Sequence, residues 1–325
     1  MGVIDERKSY SLELLGKLTP LLAKAEKIAD GKACVFAHGS FGRLEASDHS
    51  DLDPCVVSLC DTKSKKSKLQ LLEEIRLKSE IIIVFDELKL PKIDGDGRYL
   101  GQFTNRSLVD EIGSPVDDSD NTFTTRLLML LEGKPILGHE IFNSVRSSII
   151  EAYWVDFDRY KESFIPAYFT NDILRLWRTF CINYEARTRT LTGQLRIKKK
   201  VKNYKLKHSR ILTCYSAILY LLAIYSSNNT VTPDDAIKMC ELTPLDRLLW
   251  LKSHSRSGAS KKLFQNLIDM YERFLLTAGQ DSEHLEQQIQ NNEGYTREDY
   301  KFGQEIFSAI KSVGGESKFH RLIVV

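Results

Sequence analysis

The chain has few of the features that mark a secreted, metal-clustered or membrane-bound protein. It carries six cysteines in 325 residues (Cys34, Cys55, Cys60, Cys181, Cys214 and Cys240), and no two form a CxxC pair. That spacing argues against a structural zinc site. Several sit inside apolar runs such as ACVFA and LTCYSA, as buried free thiols of a reducing compartment do. The N-terminal residues MGVIDERKSY lack an apolar core, so no signal peptide is expected. The apolar stretch around Cys214–Tyr225 is too short to cross a bilayer, and a cytoplasmic protein with no membrane partner is expected. There is no internal repeat, no low-complexity tract and no His-Asp dipeptide. Net charge is only +2, too balanced for nucleic-acid binding to be read from total charge.

Hydrophobic residues at 42% and charged residues at 28% describe a globular chain, long enough for one large domain or two ordinary ones. The periodicity predicts an amphipathic helix over Ser11–Ala29, a strand at Ala33–Ala37 opening into HGSFGR, and a second strand at Asp51–Leu59. A charged helix is expected over Lys65–Ser79. The β-branched run Glu80–Leu88 (EIIIVFDEL) predicts a third strand. Pro91–Asp120 reads mostly as loop, with a short helix at Ser107–Ile112, and Thr122–Glu132 as a helix stopped by Gly133 and Pro135. From Glu140 onward the pattern is almost wholly helical. The expectation is an α+β protein, residues 1–139 being α/β and residues 140–325 an α-helical domain.

The segment His38–Asp53, HGSFGRLEASDHSDLD, concentrates the chemistry. Gly39-Ser40 follows a strand and begins a turn, where backbone N–H groups and the Ser40 hydroxyl suit phosphate. Asp51 and Asp53 alternate along a strand, so their carboxylates share one face. Two adjacent carboxylates repel unless a cation lies between them, and Mg²⁺ combines carboxylates with phosphate oxygens.

This segment resembles the GS…DxD pattern of the DNA polymerase beta superfamily of nucleotidyltransferases. The longer string G-S-F-G-R-L-E…S-D-L-D resembles the branch that includes PII uridylyltransferases. The close resemblance covers about fifteen residues. It implies a polymerase-beta-like catalytic domain followed by a substrate-binding helical bundle, with the active site between them. It also implies a Mg²⁺- or Mn²⁺-dependent transfer of a nucleoside monophosphate from an NTP, ATP or UTP foremost, to a hydroxyl of a protein, small molecule, nucleotide or tRNA end. Carried over, Gly39 and Ser40 bind phosphate and Asp51 and Asp53 bind metal. Arg43 contacts phosphate or braces the loop, and Glu45 holds the loop. The phosphohydrolase domain of PII uridylyltransferases has no counterpart, so the resemblance bears on reaction type rather than acceptor.

The superfamily places a third acid on a neighbouring strand. Asp86, near the end of the expected third strand, is the candidate catalytic acid, with Asp117 and Asp118 competing as either acids or helix caps. In the helical half, Arg175 and Arg178 share a face with Asn171, and Lys207 and Arg210 share one with Asn203. These four cations are candidates for nucleotide binding, against the plain alternative of a solvated helix face. The basic run Lys198–Arg210 alternatively tracks an RNA backbone. Two rival functions follow: a nucleotide-binding regulator without turnover, and a helical RNase toxin, the latter from the Arg247-x6-His254 spacing.

Overall fold

The computed structural model describes residues 2–91, 100–255, 257–291 and 294–324. The protein is α+β and mostly helical, with one small mixed sheet. Its contacts divide it into two compact units, Met1–Ala152 and Tyr153–Val325.

In the first unit, α1 (Val3–Leu21) and α2 (Ala23–Ala29) lead into β1 (Ala33–His38). β1 is buried at every position, because it lies inside a four-stranded sheet of order β3-β2-β1-β4. It pairs antiparallel with β2 (Asp53–Ser58) and β4 (Lys134–Leu137), while β3 (Gln102–Thr104) runs parallel to β2. The two faces of β1 separate as period-two packing requires. Ala33, Val35 and Ala37 join the core with Leu18, Leu22, Leu77 and Ile81. Phe36 instead meets Phe142 on α8 (His139–Tyr153), ring centroids 5.7 Å apart. Pro54 is tolerated early in β2 because the pairing with β3 begins only at Val56.

The largest departure from the sequence expectation is at residues 65–88. The expected helix over Lys65–Ser79 and strand over Glu80–Leu88 are replaced by one helix, α4 (Leu71–Glu87). Gln70 and Glu73 form a capping box at its start. Leu77, Ile81, Val84 and Phe85 are buried at helical spacing, whereas Ile82 and Ile83 are 42% and 45% exposed. Packing against α2, and the Lys24–Glu80 ion pair, override the β propensity of the isoleucine run.

Short helices α5 (Ser107–Asp110) and α6 (Pro115–Ser119) precede α7 (Thr122–Glu132), which is buried along its whole length. The short helix expected at Ser107–Ile112 is present as α5, the rest of the expected loop Pro91–Asp120 also holds β3 and α6, and residues 92–99 lie outside the described residues.

The described residues of the second unit contain no strand. A 36-residue rod, Gly193–Asn228, runs as α10 (Gly193–Lys205), a π-helical stretch (Leu206–Arg210) and α11 (Ile211–Asn228). It contains a window long and apolar enough to span a bilayer, yet 61% of that window is buried against the protein's own helices. Around α11 pack α9 (Ala167–Thr188), α12 (Pro233–Glu241), α13 (Pro244–His254), α16 (Gly294–Gly314) and α17 (Lys318–Val324). Two further helices complete the unit, α14 (Gly258–Ala278) and α15 (Ser282–Asn291).

Candidate active site around Gly39

β1 ends at His38, and the chain reverses through Gly39 with φ +70°, a left-handed conformation natural to glycine. One helical turn, α3 (Gly39–Gly42), follows. The antiparallel register sets Asp53 opposite His38, so the first residue of β2 lies beside this turn. A Cβ added to Gly39 would stand 3.6 Å from Asp53 Oδ2, which places the carboxylate directly over the glycine. Leu52 is 1% exposed, whereas Asp51 and Asp53 on either side are half-buried. The alternation thus sends the leucine to the core and both acids the other way. Asp51 itself precedes β2, whose regular pairing begins at Asp53. Ser40 is half-buried, and its carbonyl accepts from the Glu45 N–H at 2.8 Å.

The turn is held from below by a carboxylate 93 positions away. Glu132, the last residue of α7, accepts the Gly39 N–H at 2.9 Å through Oε1, so this N–H is turned to a carboxylate and not to a phosphate as expected, and it accepts Arg43 Nη1 at 3.1 Å through Oε2. Arg43 also donates from Nε to Glu45 at 2.8 Å. All three side chains are buried. These bonds give Arg43 and Glu45 the geometry of a brace within the loop. Gly42 makes the close approach possible: a Cβ there would lie 2.3 Å from the Glu132 carbonyl oxygen and 2.9 Å from that of Ala37. Further along, Ser47 N–H donates to Ser50 Oγ at 2.9 Å, and Ala46 N–H donates to Ser11 Oγ at 3.0 Å. Behind Asp53, burial and the aspartate charge push the Cys55 thiol pKa up, and burial pushes that of Cys34 up to about 12. Both thiols stay protonated and inert.

Asp86 is not on a strand beside Asp53. It stands in the last turn of α4 and is exposed. The strand that does neighbour β2, Gln102–Thr104, carries no acid. Asp118 is exposed, and Asp117 is bound elsewhere. Asp117 makes a bidentate pair with Arg126 at 2.9 and 2.8 Å and accepts from Thr122 Oγ1 at 2.7 Å. Burial opposes its charge, but these bonds hold its pKa below the ordinary carboxylate value. Among the described residues, no group of three or more His, Cys, Asp or Glu is arranged around a metal position.

Glu132 is the residue that sequence reasoning missed. Its signal was an ionic side chain closing the apolar run RLLMLL.

In the second unit, Arg175 pairs with Asp172 at 2.9 Å, and Asp172 also accepts from Tyr153 Oη. Arg178 is exposed, close enough to Tyr215 for its charge to lower that phenol's pKa against the dominant effect of burial. Lys207 acts likewise on Cys181, whose pKa burial raises. Arg210 lies over the Phe180 ring, 5.3 Å from its centroid. Arg247 is fully buried and donates to the Met239 carbonyl at 2.9 Å, while His254 is exposed and stacked on Trp250. A buried arginine committed to its own core cannot meet an RNA phosphate, so the Arg-x6-His spacing does not assemble a nuclease pair. Comparison with models of protein families, with curated proteins and with solved structures finds no match to this chain.

Proposed function

We propose that the protein is a metal-dependent nucleotidyltransferase of the DNA polymerase beta type, with residues 39–53 as its catalytic segment. The observation that carries this reading is the β1–β2 register, which sets Asp53 opposite His38 and its carboxylate over Gly39. The glycine turn and the first acid of β2 thereby lie side by side.

Asp51 and Asp53 would hold Mg²⁺ or Mn²⁺: both are half-buried oxygen donors, and hard divalent cations take carboxylates together with phosphate oxygens. The ion supplies Lewis-acid charge to the phosphoryl oxygens. Ser40, accessible at the start of the turn, offers its hydroxyl to the triphosphate. Glu132 and Arg43 act indirectly by fixing the turn. The acceptor hydroxyl oxygen attacks the α-phosphorus as its proton passes to solvent water, the bond to the bridging oxygen breaks, and pyrophosphate leaves. ATP or UTP is the favoured donor. The acceptor is a hydroxyl on a protein, a small molecule, a nucleotide or a tRNA end.

A second reading is favoured by one observation: Gln102–Thr104 has no acid and Asp86 sits on an exposed helix end. A protein that binds nucleotide without turning it over would need no third carboxylate.

Pyrophosphate release from each of the four NTPs, with Mg²⁺ or Mn²⁺ and with or without cell extract as acceptor source, separates the two. Release that disappears in Asp51→Ala/Asp53→Ala supports the transferase. Metal-dependent NTP binding without release under any condition supports the nucleotide-binding reading. Release that survives the double substitution refutes the assignment of residues 39–53.

A further inference from the structure

The charge of this protein is unevenly placed. Residues 186–210 hold ten of the chain's 46 basic residues and none of its 44 acidic ones, so the remainder of the chain is net acidic. The structure makes this segment the end of α9, a short connection, α10 and the π-helical stretch. Arg187, Arg189, Arg196, Lys198 and Lys200 are all exposed. From Arg196 to Arg210 the helical cations spread over about 21 Å, at a rise of about 1.5 Å per residue. That is the pattern for an extended polyanion rather than a single phosphate.

We infer that residues 187–210 form an RNA-binding surface that grips the phosphodiester backbone without reading sequence. Three features bear on the kind of polyanion and on how it is held. Val201, Tyr204 and His208 bury one side of the rod in its own unit, so only its outer, cation-bearing side is open to a polyanion. RNA is met in this way from outside, through backbone and shape. A membrane would require an apolar stripe beside the cations, yet Leu195 is the one large hydrophobic residue exposed on α10. Tyr204 is buried, so the segment shows no aromatic stacking platform and selectivity among bases is not expected. This inference does not depend on nucleotidyl transfer. An RNA would bring a hydroxyl-terminated acceptor, but the surface would bind it with no nucleotide present.

The test is fluorescence anisotropy of a labelled 20-nucleotide single-stranded RNA with the full chain, without NTP or divalent metal, across 50–200 mM salt. Wild type is expected to bind with affinity falling steeply as salt rises. Arg196→Gln/Lys198→Gln/Lys200→Gln is expected to weaken binding at least tenfold and to flatten the log–log salt slope by about 2, at about 0.7 per lost phosphate contact. Lys261→Gln/Lys262→Gln/Lys311→Gln, which removes exposed lysines elsewhere in the same unit, should leave binding within twofold. Circular dichroism melts check that both variants are folded. Absence of RNA binding overturns the inference, as does equal weakening by the two triple variants. Tighter binding to a 20-base-pair DNA duplex, or to 3:1 phosphatidylcholine–phosphatidylserine vesicles, would equally overturn it. None of these results bears on pyrophosphate release.

Discussion

Asp117 and Glu132 of the first unit and Asp299 of the second are buried in opposite ways, while Asp172 of the second, paired with Arg175, follows the first. In the first, Asp117 and Glu132 each face an arginine, and their remaining oxygen positions accept from main-chain N–H or hydroxyl groups. In the second, Asp299 lies 3.3 Å from Nδ1 of His208, whose ring is stacked between Phe274 and Phe302. His208 Nδ1 is also within 3.0 Å of the Tyr204 carbonyl. Burial drives the His208 pKa down to about 4 and that of Asp299 up to about 7. An acid given a permanent cation keeps its charge on leaving water, and one given an imidazole between phenyl rings keeps its proton. The first arrangement keeps its charge until the pH is strongly acid, and the second ties stability to pH near neutrality.

Removing a permanent cation is the harshest way to break this contrast. Arg126→Met leaves Asp117 buried and unpaired, and a loss of about 3–5 kcal/mol is expected in urea unfolding. Replacing both partners, as in Arg126→Met/Asp117→Leu, should recover most of it. A single variant as stable as wild type would show that the pair carries no charge. Next in size is Gly42→Ala, which forces a methyl group against the Glu132 carbonyl. Overpacking of this kind costs about 1–3 kcal/mol. Metal-dependent nucleotide binding should weaken with it, because the Glu132 brace is displaced. Unchanged stability would mean that the helix end does not press on the turn.

The pH arm sharpens the other side of the comparison. The Asp299 pKa is raised when folded, so the stability from its proton is full below the unfolded value of 3.8 and is lost as pH rises through about 7. His208 is depressed, so its contribution is present above 6.5 and is lost as pH falls through about 4. The two oppose each other between those limits. The falling edge near neutrality belongs to Asp299, moderated by Lys207, which favours its charge, and by Glu298, which opposes it. The melting temperature should therefore decline from pH 6.5 to 8, and Asp299→Asn should abolish that decline. A wild-type melting curve indifferent to pH over this range would refute the protonated pair. The smallest effect belongs to Asp86→Ala. An exposed carboxylate on a helix end should change stability by no more than about 0.5 kcal/mol and leave pyrophosphate release intact. Loss of release would restore Asp86 as the missing acid.

What the sequence reveals follows the range of the interactions involved. β1, the glycine turn and β2 are legible because a buried run, a left-handed glycine and alternating acids all lie within twenty residues. α4 is not, because Ile81–Val84 has strand propensity while its burial is helical, and only the neighbouring α2 decides between them. The brace on Gly39 is illegible for a related reason: Glu132 reaches it across 93 positions, and one sequence offers no way to pair them. The strand Lys134–Leu137 was hidden by Gly133 and Pro135, which stop the preceding helix and begin the next element together. Arg247 shows the converse, a spacing that suggests chemistry but whose arginine is consumed by its own core.

The five π-helical residues Leu206–Arg210 interrupt a rod that is otherwise α-helical on both sides. A π turn accommodates one more residue than an α turn, so it shifts the phase of everything before it relative to everything after. Deleting a single residue there would let the rod relax into continuous α-helix and turn its cationic half by about 100° against its buried half. Such a deletion would leave composition, charge and length almost unchanged, yet it would aim the lysines of α10 in a new direction. Lineages of this protein could therefore redirect an entire charged surface by a one-codon indel, without altering any of the side chains that form it.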